Sequence, residues 1–183
     1  MRSYLFLFSL FLSASLFSQD TLPPSKFQYT IGYFGETVTH AGFNLGLERQ
    51  LSDSEKYQII LAVNAGYYKH IRNNTSIFLR AQWGQRINFT NGVFIDHFLG
   101  VGYLHQFVSG GDIYEVLPNG AVVESPNTGS PKFMPSIAVG AGYNFPESRF
   151  SLYVRPELFW KAPFNGYFLT NFALNAGVII KMK

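Results

Sequence analysis

Apolar and polar residues alternate along the segment at positions 149–160, which reads RFSLYVRPELFW. The even-numbered positions are apolar, whereas the odd-numbered positions include Arg149, Arg155 and Glu157. Because successive side chains of a β-strand point to opposite faces, the segment predicts a strand with one apolar face and one charged face. The apolar face would point inward in a water-soluble barrel and outward in a membrane barrel.

The same period of two recurs along the chain and predicts an all-β protein. It indicates eight strands, at 27–35, 39–51, 57–70, 75–89, 93–108, 133–145, 150–162 and 167–182. Turn-forming residues separate them, and the pattern indicates neither a helix nor a domain boundary. An even number of antiparallel strands places both chain ends on the same side of an up-and-down barrel.

The seven predicted connections differ in length. The second, fourth and sixth are short, the fifth (109–132) is long, and the seventh is fairly long. Outer-membrane barrels combine short periplasmic turns with longer external loops, so residues 109–132 are expected to form an external loop. Within it, Asn119 and Gly120 predict the turn of a β-hairpin, with a loop of no regular structure as the alternative.

Strand register identifies the inward face. A three-residue loop, with Gly92 in the left-handed conformation, keeps like faces together in the hairpin that follows Phe89. This register pairs small residues with large ones and opposite charges with each other, as a narrow barrel interior requires. The expected pairs are Arg86 with Asp96, Gly84 with Phe98, Gln82 with Gly100, and Arg80 with Gly102. In the next hairpin they are Gly142 with Tyr153, Gly140 with Arg155, and Ala138 with Glu157.

The inward positions therefore predict a polar network inside a transmembrane barrel. Its candidate residues are Glu48, Arg80, Arg86, Asp96, Arg155 and Glu157. Buried charges must be paired, so Arg86 is expected to contact Asp96, and Glu157 is expected to contact Arg80. The network either fills the lumen as a structural element or forms a charged gate along a narrow ion path.

Composition supports the membrane interpretation. Only 14% of the 183 residues are charged, and 17% are aromatic, whereas soluble domains carry about 25% charged residues. Aromatic residues are expected at both ends of the barrel, as in the two girdles of membrane barrels. They are Tyr57, Phe89, Phe94, Phe145 and Phe150 near the short turns, and Tyr33, Tyr67, Tyr103, Phe107 and Trp160 near the other end.

The first residues predict export. Arg2 precedes an apolar stretch at 4–17, and Ser18 precedes a polar Gln-Asp pair. This layout is typical of a secretory signal peptide, here residues 1–18, leaving 19–183 as the barrel domain. A membrane anchor is the alternative, but the stretch is shorter than a spanning helix needs. The net charge of +3 without a basic cluster argues against a nucleic-acid partner.

The strand layout resembles the small eight-stranded outer-membrane β-barrels of Gram-negative bacteria, the OmpA-like and OmpX-like transmembrane domains. The resemblance covers residues 27–182 and rests on layout, not on a specific motif. It implies a place in the outer membrane, contact with outer-membrane lipid and lipopolysaccharide, and external loops that meet an unidentified extracellular protein or surface ligand. The chain departs from the family in ending IIKMK, where members often have a terminal aromatic residue.

These features favour a structural or adhesive role through the external loops, without catalysis. The alternatives are a secreted lipocalin-like barrel that binds an apolar ligand, an outer-membrane lipid-modifying enzyme, and a narrow pore. For the enzyme, His105 with Ser109 or Asp112 is the candidate constellation. No metal or cofactor is expected, because the four histidines lack ligand spacing and the chain has no cysteine.

Overall fold

The computed structural model describes residues 26–71, 73–109, 113–164 and 166–182, and the predicted signal peptide lies outside them. The strands are β1 (Phe27–Glu36), β2 (Gly42–Gln50), β3 (Tyr57–His70), β4 (Asn74–Asn88), β5 (Val93–Val108), β6 (Ile113–Val116), β7 (Val122–Ser125), β8 (Ser130–Phe133), β9 (Ser136–Asn144), β10 (Phe150–Phe164) and β11 (Tyr167–Lys181). None of these described residues belongs to a helix long and apolar enough to cross a membrane.

The strands close into one antiparallel barrel. The order around the wall is β11, β1, β2, β3, β4 and β5, then β8 and β9, then β10, which pairs again with β11. Since β8 and β9 are successive parts of one wall strand, the barrel has eight strands, as the sequence predicts. Closure leaves no sheet edge, so the backbone groups of the wall are paired within it.

The sixth wall strand begins earlier than predicted, at Ser130 instead of position 133. Its first part, β8, pairs with β5 at residues 103–106, so the fifth connection is 109–129 and not 109–132. Met134 and Pro135 interrupt the strand. The Met134 N–H donates to the Gly102 carbonyl at 2.8 Å, and the Trp160 N–H donates to the Pro135 carbonyl at 3.0 Å. These bonds keep both neighbouring strands attached across the break.

The seventh connection is short, contrary to the prediction. Strand β10 runs to Phe164, two residues beyond its predicted end, and β11 begins at Tyr167 as predicted. Strand β2 also begins later than expected, at Gly42. The difference in connection length between the two barrel ends therefore depends on the fifth connection alone.

The predicted hairpin register is confirmed. Gly92 has a φ of +85°, and the Phe89 N–H donates to the Val93 carbonyl at 2.8 Å. The four predicted pairs of the β4–β5 hairpin are all present: Arg86 with Asp96, Gly84 with Phe98, Gln82 with Gly100, and Arg80 with Gly102. The β9–β10 hairpin pairs Gly142 with Tyr153 and Ala138 with Glu157.

The faces are oriented as a membrane barrel requires. In β10, Tyr153, Arg155 and Glu157 are buried in the interior, whereas Leu152 and Val154 are 48% and 50% exposed on the outside. The lipocalin-like alternative is therefore wrong, because it needs the apolar face inside. One aromatic prediction is also wrong: Phe94 is fully buried and packs inward with Tyr153 and Ile179, so it does not belong to a girdle.

The glycine positions of the interior give a test of this packing. A Cβ atom at Gly84 would lie 2.3 Å from a ring carbon of Phe98. We expect Gly84→Val to lower the free energy of unfolding by about 1–3 kcal/mol, because overpacking forces side chains off their preferred rotamers. Ala81→Val, on the exposed outer face of the same strand, is the control and should leave stability nearly unchanged. Urea unfolding in phospholipid vesicles measures both, and equal effects would contradict the assigned faces.

Candidate functional site in the barrel interior

Four charged residues form a closed ring across the lumen. Arg86 contacts Glu48 at 2.8 Å and Asp96 at 3.2 Å. Arg155 contacts the same two carboxylates, Asp96 at 2.9 Å and Glu48 at 3.1 Å. Each guanidinium therefore lies between two acids, and the ring joins strands β2, β4, β5 and β10. The predicted contact between Arg86 and Asp96 is part of it.

Small and aromatic residues hold this ring in place. A Cβ atom at Gly140 would lie 2.3 Å from Cγ of Arg155, so only glycine leaves room for that side chain. Arg155 lies over the ring of Phe98 at 4.6 Å, and Arg86 lies over Phe94 at 4.7 Å. Such cation–π contacts add attraction on the faces of each guanidinium that its in-plane hydrogen bonds leave free.

A second ion pair lies next to this ring. Arg80 hydrogen-bonds Glu157, as the sequence predicts, and both side chains are buried. Asn175 donates to the second oxygen of Glu157 at 2.7 Å and accepts a bond from Asn44 at 2.8 Å. The Asn175 amide therefore satisfies the Glu157 oxygen that Arg80 does not contact, as the burial of a charged group requires.

The ion pair between Lys161 and Glu36 was not predicted from the sequence. Lys161 contacts Glu36 at 2.5 Å, and both are buried. His40 lies 3.3 Å from the other oxygen of Glu36. Glu36 lies one residue beyond the predicted first strand. Lys161 lies at an odd-numbered position of the same strand as Arg155 and Glu157. The strand alternation could therefore have identified Lys161 as an inward-facing residue.

A layer of apolar side chains closes the lumen beside these ion pairs. All of them are at most 4% exposed, and they are Phe34, Tyr68, Phe78, Leu104, Met134, Phe159 and Ala173. The cavity lined by Arg80, Arg155 and Glu157 measures only about 10 Å³. That volume is close to the space that a single water molecule needs.

The interior is electrically neutral. The buried charged side chains of the described residues are four acids and four bases: Glu36, Glu48, Asp96, Glu157, Arg80, Arg86, Arg155 and Lys161. Removing an ion from water costs several kcal/mol, and only close partners of opposite charge offset that cost. The arrangement therefore suits a structural network that fills the lumen better than an ion path.

The histidine considered for catalysis is already hydrogen-bonded on both ring nitrogens. His105 Nδ1 lies 2.6 Å from the Tyr103 hydroxyl, and Nε2 lies 2.9 Å from the Thr128 carbonyl. The Ser109 hydroxyl lies 3.5 Å from that of Thr75, whereas the hydrogen-bond partners of His105 among the described residues are Tyr103 and Thr128. Asp112 lies outside the described residues. Within the part of the chain that the structure describes, no group of three potential metal ligands is found.

The fifth connection contains the predicted hairpin. Strands β6 and β7 pair with each other and with no barrel strand. The turn is at Asn119 and Gly120: Gly120 has a φ of +82°, and the Asn119 side chain accepts the Ala121 N–H at 3.0 Å. Tyr114, Val116 and Val122 are more than 60% exposed on one face of this hairpin.

Comparison with known proteins supports the fold. Neisserial surface protein A has a TM-score of 0.54 at 14% identity, covering 88% of this chain and 100% of that one. The outer membrane enzyme PagL has a TM-score of 0.50 at 13% identity, covering 84% and 98%. Ail, the attachment invasion locus protein of Yersinia pestis, has a TM-score of 0.50 at 15% identity, covering 86% and 100%.

No family model and no curated protein sequence matches the chain. The structural likeness, at such low identity, concerns the fold. The protein has the fold of the small eight-stranded outer-membrane β-barrels.

The ion pair between Arg80 and Glu157 provides a test of the interior network. We expect Glu157→Gln to lower the free energy of unfolding by about 3–5 kcal/mol, because Arg80 keeps a buried charge without its partner. Changing Arg80→Gln as well removes both charges, so the double variant should be more stable than the single variant. A double-mutant cycle from urea unfolding in vesicles measures the coupling. Additive losses would show that the two charges do not stabilise each other.

Proposed function

We propose that this protein is an integral outer-membrane barrel of a Gram-negative bacterium, exported by signal peptide 1–18, with a structural or binding role. One observation carries the proposal: the molecule presents an apolar belt to the outside and a packed, charge-neutral interior. A lipid environment explains the first feature, and a lumen that does not conduct explains the second.

The outer belt supports contact with lipid. Leu79, Val101 and Val139 are 55%, 56% and 58% exposed on neighbouring strands of the barrel wall. Soluble monomers rarely expose contiguous apolar patches beyond a few hundred Å², whereas membrane barrels carry a continuous apolar band. The partners of this surface are outer-membrane lipid and lipopolysaccharide.

The fold leaves the choice between binding and catalysis open, because proteins of similar fold include both an attachment invasion locus protein and an enzyme. The position of His105 favours a role without catalysis. One ring nitrogen hydrogen-bonds the Tyr103 hydroxyl on the barrel wall, and the other hydrogen-bonds the Thr128 carbonyl in the fifth connection. The ring therefore links this connection to the wall.

The external hairpin is the surface best suited to a partner. Among the described residues its two strands pair only with each other, so each has an outer edge free for further pairing. An extended segment of another protein can add to such an edge through main-chain hydrogen bonds. The exposed face of Tyr114, Val116 and Val122 offers side-chain contacts beside that edge.

Gel mobility tests the membrane barrel. We expect the mature protein, solubilised from the outer-membrane fraction, to migrate differently in SDS before and after boiling, because a closed barrel resists SDS until it is heated. Gly84→Val supplies the comparison: the overpacked variant should show the same shift at a lower temperature. A protein that stays soluble without detergent and shows no shift would contradict the proposal.

Cell adhesion tests the role of the hairpin. Replacing residues 113–125 by a short Gly-Ser linker should lower attachment of bacteria to epithelial cells severalfold, while the heat shift of the barrel persists. A triple Ser variant at Tyr114, Val116 and Val122 separates the apolar face from the backbone edge. Linkers of equal length in the seventh connection, at Gly166, are the control. Unchanged attachment after hairpin removal would show that the external role lies elsewhere.

A further inference from the structure

A wide polar vestibule opens at the barrel end that carries the chain termini. Its volume is about 910 Å³, and residues of the second, fourth and sixth connections line it together with both ends of the described barrel, from Lys26 to Met182. Ligand pockets commonly measure about 300–1,000 Å³. The vestibule is thus large enough for a small organic molecule or a few residues of a peptide.

One side chain on its floor has a fixed orientation. The amide oxygen of Gln28 accepts a hydrogen bond from Arg86 Nη1 at 3.3 Å. Because a guanidinium only donates, this contact assigns the oxygen to Arg86 and turns Nε2 away from it. Arg86 is itself held by Glu48 and Asp96. Gln28 is 9% exposed, so a mostly buried donor is presented to the vestibule without an acceptor among the described residues.

A lysine lies beside this amide. Lys181 is the direct partner of Gln28 in the register of β1 and β11. Among the described residues it forms no ion pair and no side-chain hydrogen bond. Glu55, which interacts with it electrostatically, is an exposed residue at the rim. Gln58, the partner of Arg86 in the register of β3 and β4, also lines the vestibule, and its side chain makes no hydrogen bond to another described residue.

The other lysine of the vestibule lining, Lys26, is already paired. Lys26 contacts Asp53 at 2.5 Å. The hydrogen bond from Lys26, and then its charge, hold the pKa of the Asp53 carboxyl below its usual range. Lys181 is therefore the vestibule lysine whose ammonium has no carboxylate in contact among the described residues, and Glu55 at the exposed rim influences it without forming an ion pair.

We propose that this vestibule binds a carboxylate-bearing small molecule or peptide end, with Lys181 pairing the carboxylate and Gln28 donating a hydrogen bond to it. Donors without acceptors select a negatively charged oxygen ligand and disfavour a cation. The amides of Gln50, Asn88 and Asn144 on the wall suit a polar remainder of the ligand. The binding itself is independent of the external hairpin. The proposed function places the chain termini on the periplasmic side, and only the statement that the ligand comes from the periplasm rests on it.

Titration of the purified full-length mature protein in detergent tests the site. The probes are glutarate and its uncharged analogue glutaramide, followed through backbone amide NMR shifts of residues 28, 58 and 181. We expect saturable shifts with glutarate and none with glutaramide. Lys181→Gln should weaken glutarate binding by about twofold to fivefold, as loss of a partly exposed ion pair does. Lys56→Gln, an exposed lysine of the second connection outside the vestibule lining, should leave binding unchanged.

Three results would overturn the proposal: no saturable shift with glutarate, equal binding of glutaramide, or equal affinity in the Lys181→Gln variant. Solvent water alone fills the vestibule in the first case. The heat shift of each variant in SDS shows that it is folded, so loss of binding is not mistaken for loss of structure. A folded barrel without glutarate binding would leave the membrane role intact and reject only this site.

Discussion

The rest of this structure depends on the need to neutralise charges inside a closed barrel of eight strands. Such a barrel is just wide enough to be filled by side chains, and little water remains to solvate an ion. Arg86 and Arg155 each lie between Glu48 and Asp96, which ties four strands of the wall together. The same lack of space explains why glycine stands at position 140, where any side chain would meet Arg155.

The two ends of the barrel differ because different side chains occupy the lumen there. Towards one end, an apolar layer that includes Phe34 and Phe159 seals the interior beside the Lys161–Glu36 pair. At the other end the lumen widens into a polar vestibule. Because the middle of the lumen is sealed, the hairpin of the fifth connection and the vestibule at the opposite mouth are separate surfaces.

Much of the barrel was predictable because strand periodicity and turn chemistry are local. The left-handed Gly92 fixed one hairpin register, and that register placed Arg86 opposite Asp96. The start of β8 was not predictable, since Ser130 joins the wall only by pairing with a distant segment of β5. Phe94 was misassigned because its position near a turn suggested a girdle, whereas its parity with Asp96 places it inside.

The sequence by itself determined the alternation, the number of strands, the pairs within hairpins and the sign of each face, because these follow from neighbours along the chain. The pairing of Arg80 with Glu157 was also predicted, but only the tertiary structure decided the other ion pairs across the lumen. Arg155 reaches Glu48, and Lys161 reaches Glu36, because closure brings non-adjacent strands within a side-chain length of each other. It also decided that Lys181 forms no ion pair among the described residues, since that depends on every inward side chain around one mouth of the barrel.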